Sequence, residues 1–264
     1  MDFDAVEKAI ADIAQGRIVI VADDEDRENE GDLVMAAAKI TPDHVNFMTK
    51  HGRGLICVAL TDERADELDL PLMTQRNTDP QETAFTVSVD AHRRFGVSTG
   101  ISAQDRSKTI EVLTDDTSNP TDLRRPGHIF PLRAKPGGVL RRVGRREASG
   151  DLARMAGLPP VGVICEILNE DGTMARRNEL KDFALEHDLR FITVAQMVAY
   201  RLTKTRIIKR VSEAELPTNS GEFHVIAYES MLDGREHLAI TKGDPSGKQG
   251  VLVRMHSELS LIHI

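Results

Sequence analysis

The sequence predicts an α+β fold: a layered domain with a mixed β-sheet flanked by helices, followed by a short β-rich C-terminal stub. Three observations predict it. Short β-branched runs are interspersed with amphipathic stretches, but without the strict strand–helix–strand rhythm of a doubly wound sheet. Hydrophobic residues make up 40% and charged residues 29% of the 264-residue chain, as in an ordinary globular protein. The texture changes after residue 203, where Lys204, Arg206, Lys209 and Arg210 precede the polar stretch Pro217-Thr-Asn-Ser-Gly221. The expected organisation is a domain over 1–203, a linker over 204–220 and a further segment over 221–264.

The elements follow in order. Val6, Ala9, Ile10 and Ile13 keep helical spacing until Gly16 stops them. Arg17 to Ala22 is a β-branched run, a buried strand. Thr41-Pro42 reads as an N-cap and first helical residue of a helix to about Lys50. Residues 54–60 form a strand, and Thr61-Asp62-Glu63 opens a short helix. Phe85, Val87 and Val89 alternate with Thr86, Ser88 and Asp90, a half-buried strand. Ser102 caps a helix through Leu113. Residues 114–145 are rich in Gly, Pro, Thr and Arg and read as a long functional loop. Helices are expected at Glu147–Gly157, 178–187 and 194–203, with strands at 161–167 and 190–193. The tail shows strands at 222–228, 236–241 and 250–255, with Asp233-Gly234 as a hairpin turn. Such a short stub has few residues for a core of its own.

Composition excludes several function classes. A formal net charge of −8 opposes generic nucleic-acid binding, and the absence of tryptophan opposes a base-stacking surface. No stretch approaches the roughly 18–20 apolar residues of a membrane span. The acidic, amphipathic start lacks the pattern of a signal peptide, so a cytoplasmic protein is expected. Cys57 and Cys165 sit inside apolar runs and read as buried strand residues, not a disulfide. A small anionic substrate remains compatible, because a local cluster of arginines suffices to hold it.

Five constellations could carry chemistry. Residues 23–32, Asp-Asp-Glu-Asp-Arg-Glu-Asn-Glu-Gly-Asp, hold seven carboxylates and one arginine. They are either a solvated charged loop or a set of oxygen ligands for Mg²⁺ or Mn²⁺. Ser98-Thr99-Gly100-Ile101-Ser102 precedes a helix and could meet a phosphate or a sugar hydroxyl, or merely cap the helix. His128 lies between Gly127 and two prolines, as an exposed loop residue or as a general acid or base. Arg141, Arg142, Arg145 and Arg146 surround a helix start, as a phosphate clamp or as a basic surface turn. Glu166 ends an apolar strand, placed either for proton transfer or as an edge residue facing water.

In this order the motifs DDEDRENEGDLV, AFTVSVDA, STGISAQDR, RPGHIFPL, GGVLRR, DLARMAGLPPVGVICEILNEDGTMAR and FITVAQ resemble 3,4-dihydroxy-2-butanone 4-phosphate synthase of riboflavin biosynthesis over about residues 2–203. The resemblance implies a lyase that converts D-ribulose 5-phosphate to formate and the four-carbon dihydroxybutanone phosphate. It also implies Mg²⁺ (or Mn²⁺) and a homodimer with sites near its interface. By the same resemblance, Arg27, Glu28, Asp32, Thr99, Arg142, Gly144, Arg146 and Glu166 meet the substrate. Glu28 also binds the metal, and His128 and Glu166 are catalytic.

The chain departs from the family after GGVLRR. The family typically has Gly-His-Thr-Glu-Ala there, its histidine a metal ligand; this chain has Gly144-Arg145-Arg146-Glu147-Ala148. A guanidinium has no lone pair to offer a metal, so impaired turnover, or a role as a sugar-phosphate binder or scaffold, is the alternative expectation. The tail, GEFHVIAYESMLDGREHLAITKGD and then VLVRMHSE, resembles the opening of GTP cyclohydrolase II and departs from it after Glu258. No cysteine follows Cys165, so the zinc site of that family, and its activity, are expected to be absent.

Overall fold

The computed structural model describes residues 3–24 and 27–256. Glu25 and Asp26 of the acidic run, and the tail Leu259-Ser-Leu-Ile-His-Ile264, lie outside the described residues. The chain divides into two units at Thr205/Arg206.

The first unit begins with α1 (Phe3–Ala14), which buries Val6, Ala9 and Ile13 at the predicted spacing. Gly16 takes a φ of +81°, a left-handed conformation that costs glycine little, and turns the chain into β1 (Val19–Ala22). There follow β2 (Gly31–Ala36), α2 (Pro42–Phe47), β3 (Cys57–Thr61), α3 (Asp62–Glu67), β4 (Val89–Ala91), α4 (Ala103–Thr114), β5 (Leu123–Ala134), α5 (Arg145–Met155), β6 (Gly162–Glu166), α6 (Arg177–Glu186), β7 (Arg190–Thr193) and α7 (Val194–Lys204). The caps read from sequence are present. The side chains of Thr41, Thr61 and Ser102 each accept a backbone N–H from the first turn of α2, α3 and α4.

These strands form one mixed seven-stranded sheet in the order β4-β5-β3-β6-β2-β1-β7. β3 runs parallel to β5 and β1 parallel to β7, while the other neighbours are antiparallel. α1, α5 and α7 pack on one another, and α5 lies over β2, β6 and β3. Leu180 of α6 and the turn Met48–Gly52 approach β2 at Gly31 and Leu33. Alternate residues of a strand point to opposite faces, so Asp32 faces the α5 side. Both cysteines are free and buried, as expected.

Four expectations need correction. Residues 114–145 are not a long loop, because Leu123–Ala134 form a 12-residue strand. Its Gly and two prolines weaken the local signal, and pairing with β3 and β4 overrides it. The half-buried strand read over 85–90 is regular only at Val89–Ala91, while Phe85 and Thr86 make isolated bridges to Leu132 and Leu72. The stretch read as a linker over 204–220 contains a strand.

That strand, β8 (Ile208–Thr218), belongs to the second unit with β9 (Gly221–Ser230) and β10 (Glu236–Thr241), a three-stranded antiparallel sheet ordered β10-β9-β8. Lys, Arg and Glu along β8 hide its pattern, since nearly all its side chains are exposed. Residues 250–255, expected as a strand, have no regular structure; Leu252, Val253 and Met255 are exposed, and no strand among the described residues pairs with them.

Candidate active site

The acidic run is the connection of a hairpin. β1 and β2 pair Ala22 with Gly31 and Val21 with Asp32, and Asp23 N–H donates to the carbonyl of Glu30 at 3.1 Å. Asp23 is buried and organises the turn. Its Oδ1 accepts from the Glu30 N–H at 2.9 Å and its Oδ2 from Arg27 Nη1 at 2.7 Å. Arg27 also donates through Nη2 to Glu28 Oε1 at 3.0 Å.

The sheet register brings the second carboxylate. Asp32 on β2 pairs with Glu166 on β6, so their side chains lie side by side on one face. Glu166 Oε2 accepts the Leu55 N–H at 2.9 Å. Gly54 permits that approach: a Cβ there would lie 2.5 Å from the Glu166 carbonyl oxygen and 2.7 Å from Oε2.

The third contribution is the start of α5. Glu147 is fully buried and receives Arg142 Nη1 at 3.0 Å and Arg146 Nε at 3.1 Å. Arg146 is 5% exposed, and its Nη1 has no hydrogen-bond partner among the described residues. Arg145 lies in the mouth of the hairpin. Its Nη1 donates to Asp32 Oδ1 at 2.9 Å and its Nη2 to Glu30 Oε2 at 3.1 Å; Nη2 also contacts Glu28 Oε2, and Nε lies 3.7 Å from Asp23 Oδ2.

Together these elements wall a cavity of about 260 Å³. Arg27, Glu28, Asp32, Arg142, Arg146 and Glu166 line it, joined by Arg145. Gly144, the N-cap of α5, is not among the residues lining it. The remaining wall, with Cys57, Thr83, Phe85, Leu132 and Ile164, went unrecognised in the sequence. The pairing of β3, β5 and β6 gathers Cys57, Leu132 and Ile164, the bridge of Phe85 to Leu132 adds the segment with Thr83, and no local pattern marks them. Glu30 and Asp23 gave a signal only as members of the acidic run.

Two further predicted residues are not among those lining this cavity. Thr99 and His128 are exposed. The buried Asp90 carboxylate accepts the His128 backbone N–H through Oδ1 and meets its Nδ1 through Oδ2, both at 2.9 Å. The chain at Gly100, next to Thr99, passes against the same carboxylate. Asp90 thus fixes the imidazole with Nε2 free to face outward, a role not marked in the sequence.

Electrostatics separate the groups. The Asp32 carboxyl is pushed up to about 7, chiefly by burial; Arg145 opposes this, and Glu166, Asp23 and Glu30 reinforce it. One guanidinium shared among four carboxylates leaves each incompletely compensated. Burial disfavours the charge on Arg145, but Asp32, Asp23, Glu28 and Glu30 outweigh it and raise its pKa. Cys57 stays a thiol, pushed up by burial and by Glu166.

A pH dependence follows. Folding raises the Asp32 pKa, so the native state holds that proton more tightly than the unfolded chain does. Its stabilising contribution is complete below the ordinary value of 3.8 and is lost as pH rises through about 7. Asp32→Asn should remove this component, so that the melting temperature falls less steeply across that interval. A slope identical to that of the unaltered chain would contradict the assignment.

Residues 7–200 match the family 3,4-dihydroxy-2-butanone 4-phosphate synthase. The chain belongs to that family. Residues 209–264 of this synthase-family chain match GTP cyclohydrolase II. The riboflavin biosynthesis protein RibBA of Synechocystis sp. is 57% identical over 258 residues, covering 97% of this chain and 46% of that protein. RibBA of Aquifex aeolicus is 56% identical, covering 97% and 63%. The chain thus spans about half to two thirds of the length of these curated relatives. Among solved structures, RibBX, a two-domain synthase from A. baumannii, is 46% identical with a TM-score of 0.82, over 92% of this chain and 71% of that one. A synthase in complex with two magnesium ions is 43% identical with a TM-score of 0.72, over 76% of this chain and 98% of that one.

The residues of the present synthase domain do not fit a divalent cation at the hairpin. Arg145 contacts Asp23, Glu28, Glu30 and Asp32, four of the seven carboxylates of the run and among them the expected ligand Glu28. Among the described residues, no group of three or more His, Cys, Asp or Glu side chains is placed to hold a metal ion. The expected Mg²⁺ (or Mn²⁺) therefore lacks its donor set in this arrangement. No helix among the described residues is long and apolar enough to cross a membrane.

Proposed function

We propose that the first unit binds D-ribulose 5-phosphate in the hairpin cavity and is a lyase releasing formate and 3,4-dihydroxy-2-butanone 4-phosphate. The observation that carries this reading is the buried Arg146 Nη1, left without a hydrogen-bond acceptor in a cavity it lines beside Arg27 and Arg142. An unsatisfied guanidinium N–H is costly unless an acceptor arrives, and an anionic sugar supplies one. Membership of the synthase family supports the choice of sugar and reaction.

The chemistry needs proton movement beside a ketone. Removing a proton from the adjacent carbon gives an enediolate, whose negative charge Arg27, Arg142 and Arg146 are placed to offset. Asp32, with its pKa near neutrality, and Glu166, positioned by the Leu55 N–H, are neighbours able to take and return protons. Walls from Phe85, Leu132 and Ile164 limit water around the intermediate.

His128 and Thr99 enter this reading through a second copy of the chain. The imidazole is exposed and anchored, and it is not part of the cavity within one chain. We therefore propose a homodimer in which each copy supplies them to the other. The two free, buried cysteines suit a reducing, cytoplasmic setting.

The test is formate release from D-ribulose 5-phosphate by the chain as it stands, with calorimetric titration of the same sugar. Binding with formate release supports the lyase. Binding without release supports the second reading, a sugar-phosphate binder of weak turnover, which the engagement of Arg145 with four carboxylates favours. Absence of binding would sink both.

A further inference from the structure

We infer that the guanidinium of Arg145 is a built-in replacement for a divalent cation, offsetting the charge of the hairpin carboxylates and closing their site to metal. The inference deepens the proposed function, on which it rests only in taking the cavity as the site.

Four carboxylates converge there from one hairpin. Asp23 and Asp32 retain only 1% and 3% of their side-chain exposure, and Glu28 and Glu30 about a fifth. Like charges this close and this dry repel strongly, and a cation must sit among them or protons must neutralise them. Arg145 meets all four and is itself 10% exposed.

Its place in the helix makes the arrangement more telling. Arg145 is the first residue of α5, after the N-cap Gly144. The positive end of a helix dipole disfavours a cation at that position. The residue is held there against local electrostatics by the carboxylates of β2 and the hairpin, a long-range contact. Arginine keeps its charge at any ordinary pH and has no lone pair. It therefore offsets part of the cluster's charge at any ordinary pH and ligates nothing. A divalent ion seeking the same oxygens would lose their charge to Arg145 and face a fixed positive neighbour.

The result is a cluster whose shape does not depend on metal supply. Arg27 and Arg176 brace the same turn, Arg27 through Asp23 and Glu28, and Arg176 through the carbonyls of Glu28 and Asn29. Guanidinium groups thus tie the turn to α5 through Arg145 and to the start of α6 through Arg176, beside the backbone pairing of β2 with β6.

The experiment uses the full chain and reads metal binding and thermal stability. Mn²⁺ binding is followed by electron paramagnetic resonance, and melting temperature is measured with EDTA or with millimolar Mg²⁺. The unaltered chain should bind no Mn²⁺ at the hairpin and melt at the same temperature in both conditions. Arg145→Ala should melt lower, and Mg²⁺ should restore the loss as its concentration rises. Arg145→His should bind Mn²⁺ at least about tenfold more tightly than the unaltered chain. Should Arg145→Ala fail to fold, the pair Arg145→His and Arg145→Lys carries the test, the lysine variant remaining blind to Mg²⁺. Mn²⁺ binding by the unaltered chain as tight as by Arg145→His would overturn the inference. So would an Arg145→Ala protein whose melting temperature ignores Mg²⁺. Titration with D-ribulose 5-phosphate is scored separately: its failure refutes the sugar-phosphate reading, while the metal results alone decide the role of Arg145.

Discussion

Replacing Glu147 by alanine is expected to cost about 3–5 kcal/mol of stability, the penalty for leaving a buried charge without its partner. The Glu147 side chain is fully buried between Arg142 and Arg146, and it also accepts the Lys135 N–H at 3.3 Å. Removing it strands the Arg146 guanidinium, which is 5% exposed and already has one unsatisfied nitrogen. The effect should therefore exceed that of deleting an exposed ion pair, worth at most about 1 kcal/mol. Urea unfolding followed by far-ultraviolet circular dichroism measures it. Glu147→Gln keeps the shape and part of the hydrogen bonding and should lose less. A loss below about 1 kcal/mol for Glu147→Ala would show that Arg146 finds another acceptor or reaches water. The same substitution should weaken sugar-phosphate binding, because Glu147 aims both arginines at the cavity.

The second large effect concerns turnover. Glu166→Gln should lower formate release by about 10²–10⁴-fold, the range for removing a positioned general acid or base. The amide is nearly isosteric and can still accept the Leu55 N–H, so the fold and the affinity for D-ribulose 5-phosphate should change little. The comparison is made in the unaltered chain and again in an Arg145→His, Arg146→Thr background. Formate release that stays within a few-fold of the parent in the more active background would remove Glu166 from the proton-transfer role and leave Asp32 as the candidate.

Both predictions depend on residues that differ in how readable they were. The acidic run, the arginines before Glu147 and the apolar strand ending in Glu166 stand out as local patterns. The caps at Thr41, Thr61 and Ser102 and the helix stop at Gly16 are likewise local, because a hydroxyl three residues from an N–H, or a glycine at positive φ, needs no distant partner. Strand β5 was hidden: its prolines and glycine speak against a strand, and only pairing with β3 and β4 fixes it. β8 was hidden for a different reason, since its exposed, charged side chains show no buried face. Asp90 had no local signature at all, because its function as the anchor of His128 spans 38 residues.

The sequence by itself determined the mixed α+β class, the helices and their caps, the family resemblance, and the presence of an arginine at 145 where an imidazole was expected. Only the tertiary structure decided what that arginine does. The family resemblance implied a missing ligand; the register of β1 with β2, and the packing of α5 over that hairpin, showed four carboxylates gathered around the guanidinium. The physical reason is range. Propensity and capping act over a few residues, whereas Arg145 and Asp32 are 113 residues apart in the chain and meet only once the sheet has formed.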